Sequence, residues 1–188
     1  MMRTGGYAAV LALASMLCGC GTSLHDAVAA GRLDRAAAML QRNPRLVESR
    51  DRLDKTPLHH VVTFHRPEAL ELLTAYGADI DARDATGMTP LHVAAMLGRD
   101  FEARWLLEHG AEADARDRFG DTPLHTAALF GVGQAMPALA AEQRLFGLRN
   151  HGGKTPFELA LENGCQRTAL LLRRLEREAE SGRGGTRE

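Results

Sequence analysis

The sequence predicts an all-α solenoid of about five stacked helix-turn-helix units, the first and last acting as caps. Three observations predict it. The phrase Thr-Pro-Leu-His begins at Thr56, Thr89 and Thr122, and a looser copy, Thr155-Pro156-Phe157-Glu158, keeps the register, so successive copies start 33 residues apart. A fixed period of this size is the signature of a stacked repeat protein. The text between the copies repeats too: Leu72-Leu73, Leu106-Leu107 and Leu171-Leu172 come in pairs, and Tyr76-Gly77-Ala78-Asp79 answers His109-Gly110-Ala111-Glu112. Finally, Arg50-Asp51, Arg83-Asp84, Arg116-Asp117 and Arg149-Asn150 close each unit, with Gly87, Gly120 and Gly153 three residues beyond the Asp or Asn.

Elementary chemistry explains each piece of the unit that starts at Thr89. Thr caps a helix and Pro suits its first turn, where an amide would have no partner. Leu91 begins an apolar stripe through Ala94 and Ala95, and Gly98 ends this first helix. A second helix is expected from about Asp100 to Glu108, with Ala103, Leu106 and Leu107 at helical spacing, stopped by Gly110. Residues 111–121 then form an extended turn into the next unit. Both helices are too short to stand alone, so each unit must bury a face on its neighbours.

Motif and period together make residues 24–178 resemble the ankyrin-repeat family, with repeats starting near 22, 56, 89, 122 and 155. The resemblance implies helix pairs joined by β-hairpin-like loops, and a non-enzymatic protein that binds other proteins.

The remaining units are variations on this frame. A degraded copy, Thr22-Ser23-Leu24-His25, stands 34 residues before Thr56 and opens a capping pair over Leu24–Arg42, split at Gly31, with Asn43-Pro44 breaking the second helix. The unit at Thr56 carries His65 where its sisters carry Gly98, Gly131 and Gly164, and Pro67 falls in the first turn of its second helix. The unit at Thr122 is the weakest. Pro137 lies inside its second helix and Gln143 replaces the terminal Gly, so that helix is expected to start late, near residues 134–137, or to kink. In the last unit Arg173 stands where Leu107 stood and Glu158 where His92 stood, as a solvent-facing cap requires. Residues 179–188 read as a flexible tail.

The N-terminus is a different text. One positive side chain, Arg3, precedes an apolar run from Tyr7 to Leu17, too short to span a bilayer but suited to a secretory signal. It ends in Leu17-Cys18-Gly19-Cys20, which resembles a bacterial lipobox. The resemblance implies removal of the signal peptide, residues 1–19, and lipidation of Cys20. It implies anchoring in a bacterial cell envelope, in the outer membrane facing the periplasm because Gly21 rather than Asp follows Cys20. Residues 20–23 would be the tether, a reach of roughly 10 Å when extended, holding the domain close to the membrane. Two other readings stay open: export with cleavage after Ala14, and a buried N-terminal helix. With Cys18 removed and Cys20 lipidated, Cys165 is left without a disulfide partner and reads as a small filler.

Composition excludes several function classes. The 188 residues carry 23 basic and 24 acidic side chains, so net charge gives no argument for a nucleic-acid partner. His59, His92 and His125 recur at the repeat period, which marks them as structural, and no His-x-x-x-His or Cys-x-x-Cys spacing occurs. No Gly-x-Ser-x-Gly motif is present, and Gly152-Gly153-Lys154-Thr155 lacks the preceding Gly of a phosphate loop. Neither a catalytic residue nor a cofactor nor a metal is expected. The chain reads as a monomer that is not an enzyme.

The informative positions vary while the frame stays fixed. In the ankyrin-repeat family these are the hairpin tips and the inner face of the first helices. Carried over by register, Phe64, Met96, Leu97, Leu129 and Phe130, with Phe119 at a tip, form an apolar strip. Arg83, Arg116 and Arg118 stand beside it at the tips. An apolar patch with a charged rim marks a partner surface, here for a protein with an acidic patch. Within that class the family resemblance implies immunity to, or assistance of, a secreted or envelope protein as one candidate relation. A non-inhibitory membrane-proximal scaffold is the alternative, and metal or small-ligand binding through His60, His65 and His151 is a third.

Overall fold

The computed structural model describes residues 23–141 and 143–181. Over them the chain forms ten α-helices and three 3-10 segments, with no strand among the described residues. The helices come in pairs: α1 (Leu24–Ala29) with α2 (Leu33–Arg42), α3 (Pro57–Thr63) with α4 (Leu70–Ala75), α5 (Pro90–Leu97) with α6 (Asp100–Glu108), α7 (Pro123–Phe130) with α8 (Met136–Leu139), and α9 (Pro156–Glu162) with α10 (Gln166–Ser181). Consecutive first helices pack side by side, from α1 on α3 to α7 on α9, and each first helix packs on its own second helix. The result is a two-layer stack whose hairpin-like loops all leave from one end.

The repeat phrase builds each first helix as its chemistry demands. Thr56, Thr89, Thr122 and Thr155 cap in extended conformation, with Pro in the first turn and a capping box to the third helical residue. In α9 that third residue is Glu158, whose carboxylate accepts the amide of Thr155 as a His ring does elsewhere. The first unit departs from its predicted register by one residue. Its cap is Ser23, boxed with Asp26, and Thr22 lies outside the described residues. His25 nevertheless reaches the next loop, as its sisters do.

Each helix pair contributes the same buried column. Leu40, Leu73, Leu106, Leu139 and Leu172 stand 33 residues apart and are all essentially fully buried, as are Leu58, Leu91 and Leu124 in the first-helix layer. The core lies between the layers and between neighbouring units, which is why no unit is stable by itself. The weak fourth unit behaves as its Pro137 predicts: α8 has four residues, begins at Met136 and carries Pro137 in its first turn. In the last unit Phe157 occupies the slot of the buried leucines and is roofed by the Arg173 guanidinium, 4.6 Å from the ring centre. Leu161 holds the slot of the buried Ala95 and Ala128 but is 50% exposed, because no further unit stacks on it among the described residues.

The second unit contains the largest local departure. Gly98 and Gly131 end their helices in left-handed conformation, and His65 adopts the same conformation at φ 54°. Its Nδ1 lies 2.5 Å from Oε1 of Glu102. Glu102 is fully buried on α6, in the register position held by Ala36, Ala69, Ala135 and Thr168. Two residues that break the repeat rule therefore meet across one inter-unit junction. The second carboxyl oxygen of Glu102 and Nε of Arg99 have no hydrogen-bond partner among the described residues.

Candidate partner-binding face

The hairpin tips are built from one side chain per unit. In the first three loops an Asp carboxylate accepts backbone amides two and four residues ahead: Asp51 from Leu53 and Lys55, Asp84 from Thr86 and Met88, Asp117 from Phe119 and Asp121. Each loop then bonds to its neighbour, through the amides of Ala85, Arg118 and His151 to the carbonyls of Leu53, Thr86 and Phe119.

Two ladders tie these loops together. In one, an imidazole reaches from a first helix to the next loop: Nε2 of His59 to Met88 O, of His92 to Asp121 O and of His125 to Lys154 O, at 3.1, 3.0 and 3.0 Å. The Nδ1 of each accepts the Thr amide and hydroxyl of its own capping box. That arrangement needs the neutral Nε2–H tautomer. Burial lowers the affinity of all three for protons, taking His59 to about 4. His25 closes the series, with Nε2 shared between Ser49 O and Lys55 O.

The second ladder is made of guanidinium groups. Nη1 of Arg50 donates to Asp54 O and Arg83 O, Nη1 of Arg83 to Gly87 O and Arg116 O, and Nη1 of Arg116 to Gly120 O and Arg149 O. Arg83 and Arg116, predicted from sequence to steer a partner, are thus also the bolts between loops. Arg149 ends the row, donating to Gly153 O and to Glu158.

The predicted apolar strip is distributed along this frame. Phe119 and Phe130 are 68% and 54% exposed, and Leu53 at the first tip is 59% exposed. Phe64, Met96, Leu97 and Leu129 are half-buried at the ends of α3, α5 and α7. Leu97 packs partly against the core. Phe64 belongs to a separate ring cluster: its ring stacks on His60 at 5.8 Å, and His60 meets His25 edge-on at 4.9 Å. His60 also bonds to Asp51 at 2.8 Å. Burial raises the Asp51 affinity for protons, but the bonds from His60 and the loop amides outweigh it and hold the carboxyl below its usual range.

Three predicted residues do converge. Arg118, Phe119 and Leu129 line one groove of about 480 Å³ between the third and fourth hairpins, together with His151, Gly152 and Leu159. The His151 ring lies over Gly120, where an added Cβ would fall 2.6 Å from it. Leu159 is not among the residues predicted for the face, and its sisters Val93 and Thr126 are buried. The signal that could have found the groove is Gly152, a bare position where the earlier tips carry Leu53, Thr86 and Phe119.

His60 and His65 lie in the second unit but turn to different partners, Asp51 and Glu102, and His151 lies in the fourth hairpin beside Gly120. Among the described residues no group of three His, Cys, Asp or Glu side chains is placed to hold a metal ion. No helix among the described residues is long and apolar enough to cross a membrane. The apolar run before Leu17 and the cysteines Cys18 and Cys20 lie outside the described residues.

Compared with known families, the chain matches the model described as ankyrin repeats, of three copies, over residues 12–117 and 103–181. No curated protein matches it.

Proposed function

The chain belongs to the ankyrin-repeat family, and from that membership we propose that it captures another protein on the face formed by its first helices and hairpin tips, while tethered to a bacterial cell envelope through a lipid on Cys20. Ankyrin repeats generally mediate protein–protein interaction and are typically non-enzymatic. The observation that carries the reading is the pair of exposed phenylalanines, Phe119 and Phe130, on a scaffold whose loops are bolted by the His and Arg ladders. Large apolar side chains held rigidly beside charged ones are what a partner surface needs, since little ordering entropy is then lost on binding. Met96, Leu97, Leu129 and Phe64 extend the apolar surface, and Arg83, Arg116 and Arg118 give it a basic rim suited to an acidic patch. The lipobox-like Leu17-Cys18-Gly19-Cys20 supports the envelope placement. A role as immunity or accessory protein for a secreted or envelope protein fits a small, membrane-held binding module.

The test is crosslinked capture from the native envelope with the full-length chain as bait. One enriched protein, lost when Phe130→Asp and Met96→Asp are combined in a variant that melts like the parent, is the expected result. Capture that survives the double substitution refutes the proposed face. Mass spectrometry of the same bait reads the modification on Cys20, and an unacylated Cys20 refutes the anchor alone.

A further inference from the structure

A groove opens between the third and fourth hairpins. Its apolar lining is Leu129, Leu159 and Phe119, with the His151 ring beside them. It is open because Gly152 offers no side chain where the earlier loops have Leu53, Thr86 and Phe119. The acids around it are already engaged. Asp121 is buried and accepts Nδ2 of Asn150 at 2.7 Å, Glu158 takes Arg149 and the Thr155 amide, and Glu162 takes Lys154. The guanidinium of Arg118, by contrast, is exposed and makes no hydrogen bond or ion pair among the described residues, unlike Arg116 and Arg149, which are tied to backbone carbonyls. Among the described residues the rim therefore presents the positive charge of Arg118 unpaired beside an apolar lining.

We propose that this groove is the anchor site of the partner, and that it takes a short acidic segment of polypeptide. One large apolar side chain would enter between Phe119 and His151, while a neighbouring carboxylate pairs with Arg118. The inference rests on the protein-binding reading above and narrows it to one site and one chemistry. A volume of about 480 Å³ lies within the range of sites that bury a compact group, roughly 300–1,000 Å³. A guanidinium at the lip suits a carboxylate through bidentate bonding. Charge complementarity decides the occupant: a basic segment would meet Arg118 and, a few residues away, Arg116.

The experiment uses the full-length chain and two defined peptides, one with a single Trp flanked by Asp and Glu and one with the same Trp flanked by Lys. The acidic peptide is expected to shift the amide resonances of Phe119, Leu129, His151 and Leu159. The basic peptide should bind at least tenfold more weakly. Gly152→Phe fills the groove with a side chain that the sister loops already tolerate, since an added Cβ there meets only Asn150 Oδ1, at 3.3 Å. It should abolish the shifts, and Arg118→Glu should weaken binding tenfold or more without moving the melting temperature. Equal binding of both peptides, or acidic binding unchanged by Gly152→Phe and by Arg118→Glu, overturns the proposal. Shifts confined to the ends of α5 and α7, around Met96 and Phe130, would overturn the groove assignment while leaving the binding face intact.

Discussion

The pair His65 and Glu102 shows how single residues can break a repeat rule and survive. A non-glycine residue in left-handed conformation is strained, and a buried carboxyl without a partner costs several kcal/mol. Each departure is compensated by the other across the junction between the second and third units. His65→Gly alone should therefore destabilise the fold by about 2 kcal/mol, although it relieves backbone strain. Combining it with Glu102→Ala restores the pattern of the sister junctions and should recover stability to near the parent. A coupling of about 1–3 kcal/mol in urea unfolding is expected, and strictly additive effects would show that the two residues do not sense each other. The imidazole ladder has its own signature. His59 is held neutral, its affinity for protons lowered from 6.5 to about 4, so the unfolded chain binds the proton first as pH falls. Its stabilisation is complete above pH 6.5 and fades between 6.5 and about 4, a loss on the order of 3 kcal/mol. Urea midpoints should drop steadily across that window, and His59→Gln should flatten the slope. A midpoint that stays constant from pH 7 to 5 would contradict this account.

Among the elements, α8 is the weak one. Four residues around Pro137 leave few backbone bonds, while α6 in the preceding unit has nine residues. Amide exchange should open Met136–Leu139 before any other second helix, and slower exchange there than in α6 would refute the reading. The hairpins are the strong elements, because one guanidinium bridges two loops at each step. Arg116→Met removes two charge-assisted bonds, to Gly120 O and Arg149 O, and should cost about 1–2 kcal/mol. The frame was legible in the sequence at this scale. The capping phrase, the terminal glycines and the second helix of the third unit over Asp100–Glu108 all lie where periodicity put them, and the late start of α8 followed from Pro137. Less legible was anything that depends on a neighbouring unit. The Arg ladder and the His65–Glu102 contact join residues about one period apart, which no local pattern reveals. Leu159 escaped notice because its partners in the groove, Phe119 and Leu129, lie a unit away.

For the whole molecule, the ladders and the buried leucine column make the loops and first helices one pre-organised surface. Rigidity of this kind favours capture through slow dissociation, while the exposed Arg118 influences the rate of encounter. Arg83 and Arg116 are poor probes of that electrostatic role, since their substitution also loosens the loops. The central claim is that partner binding uses the first-helix face with its hairpin tips. Hydrogen–deuterium exchange on the full-length chain with its captured partner tests it most directly. Added protection at the hairpins around Phe119 and His151 and at the ends of α5 and α7, with α4, α6 and α10 unchanged, is the result this account predicts. Protection concentrated on the second helices would contradict it.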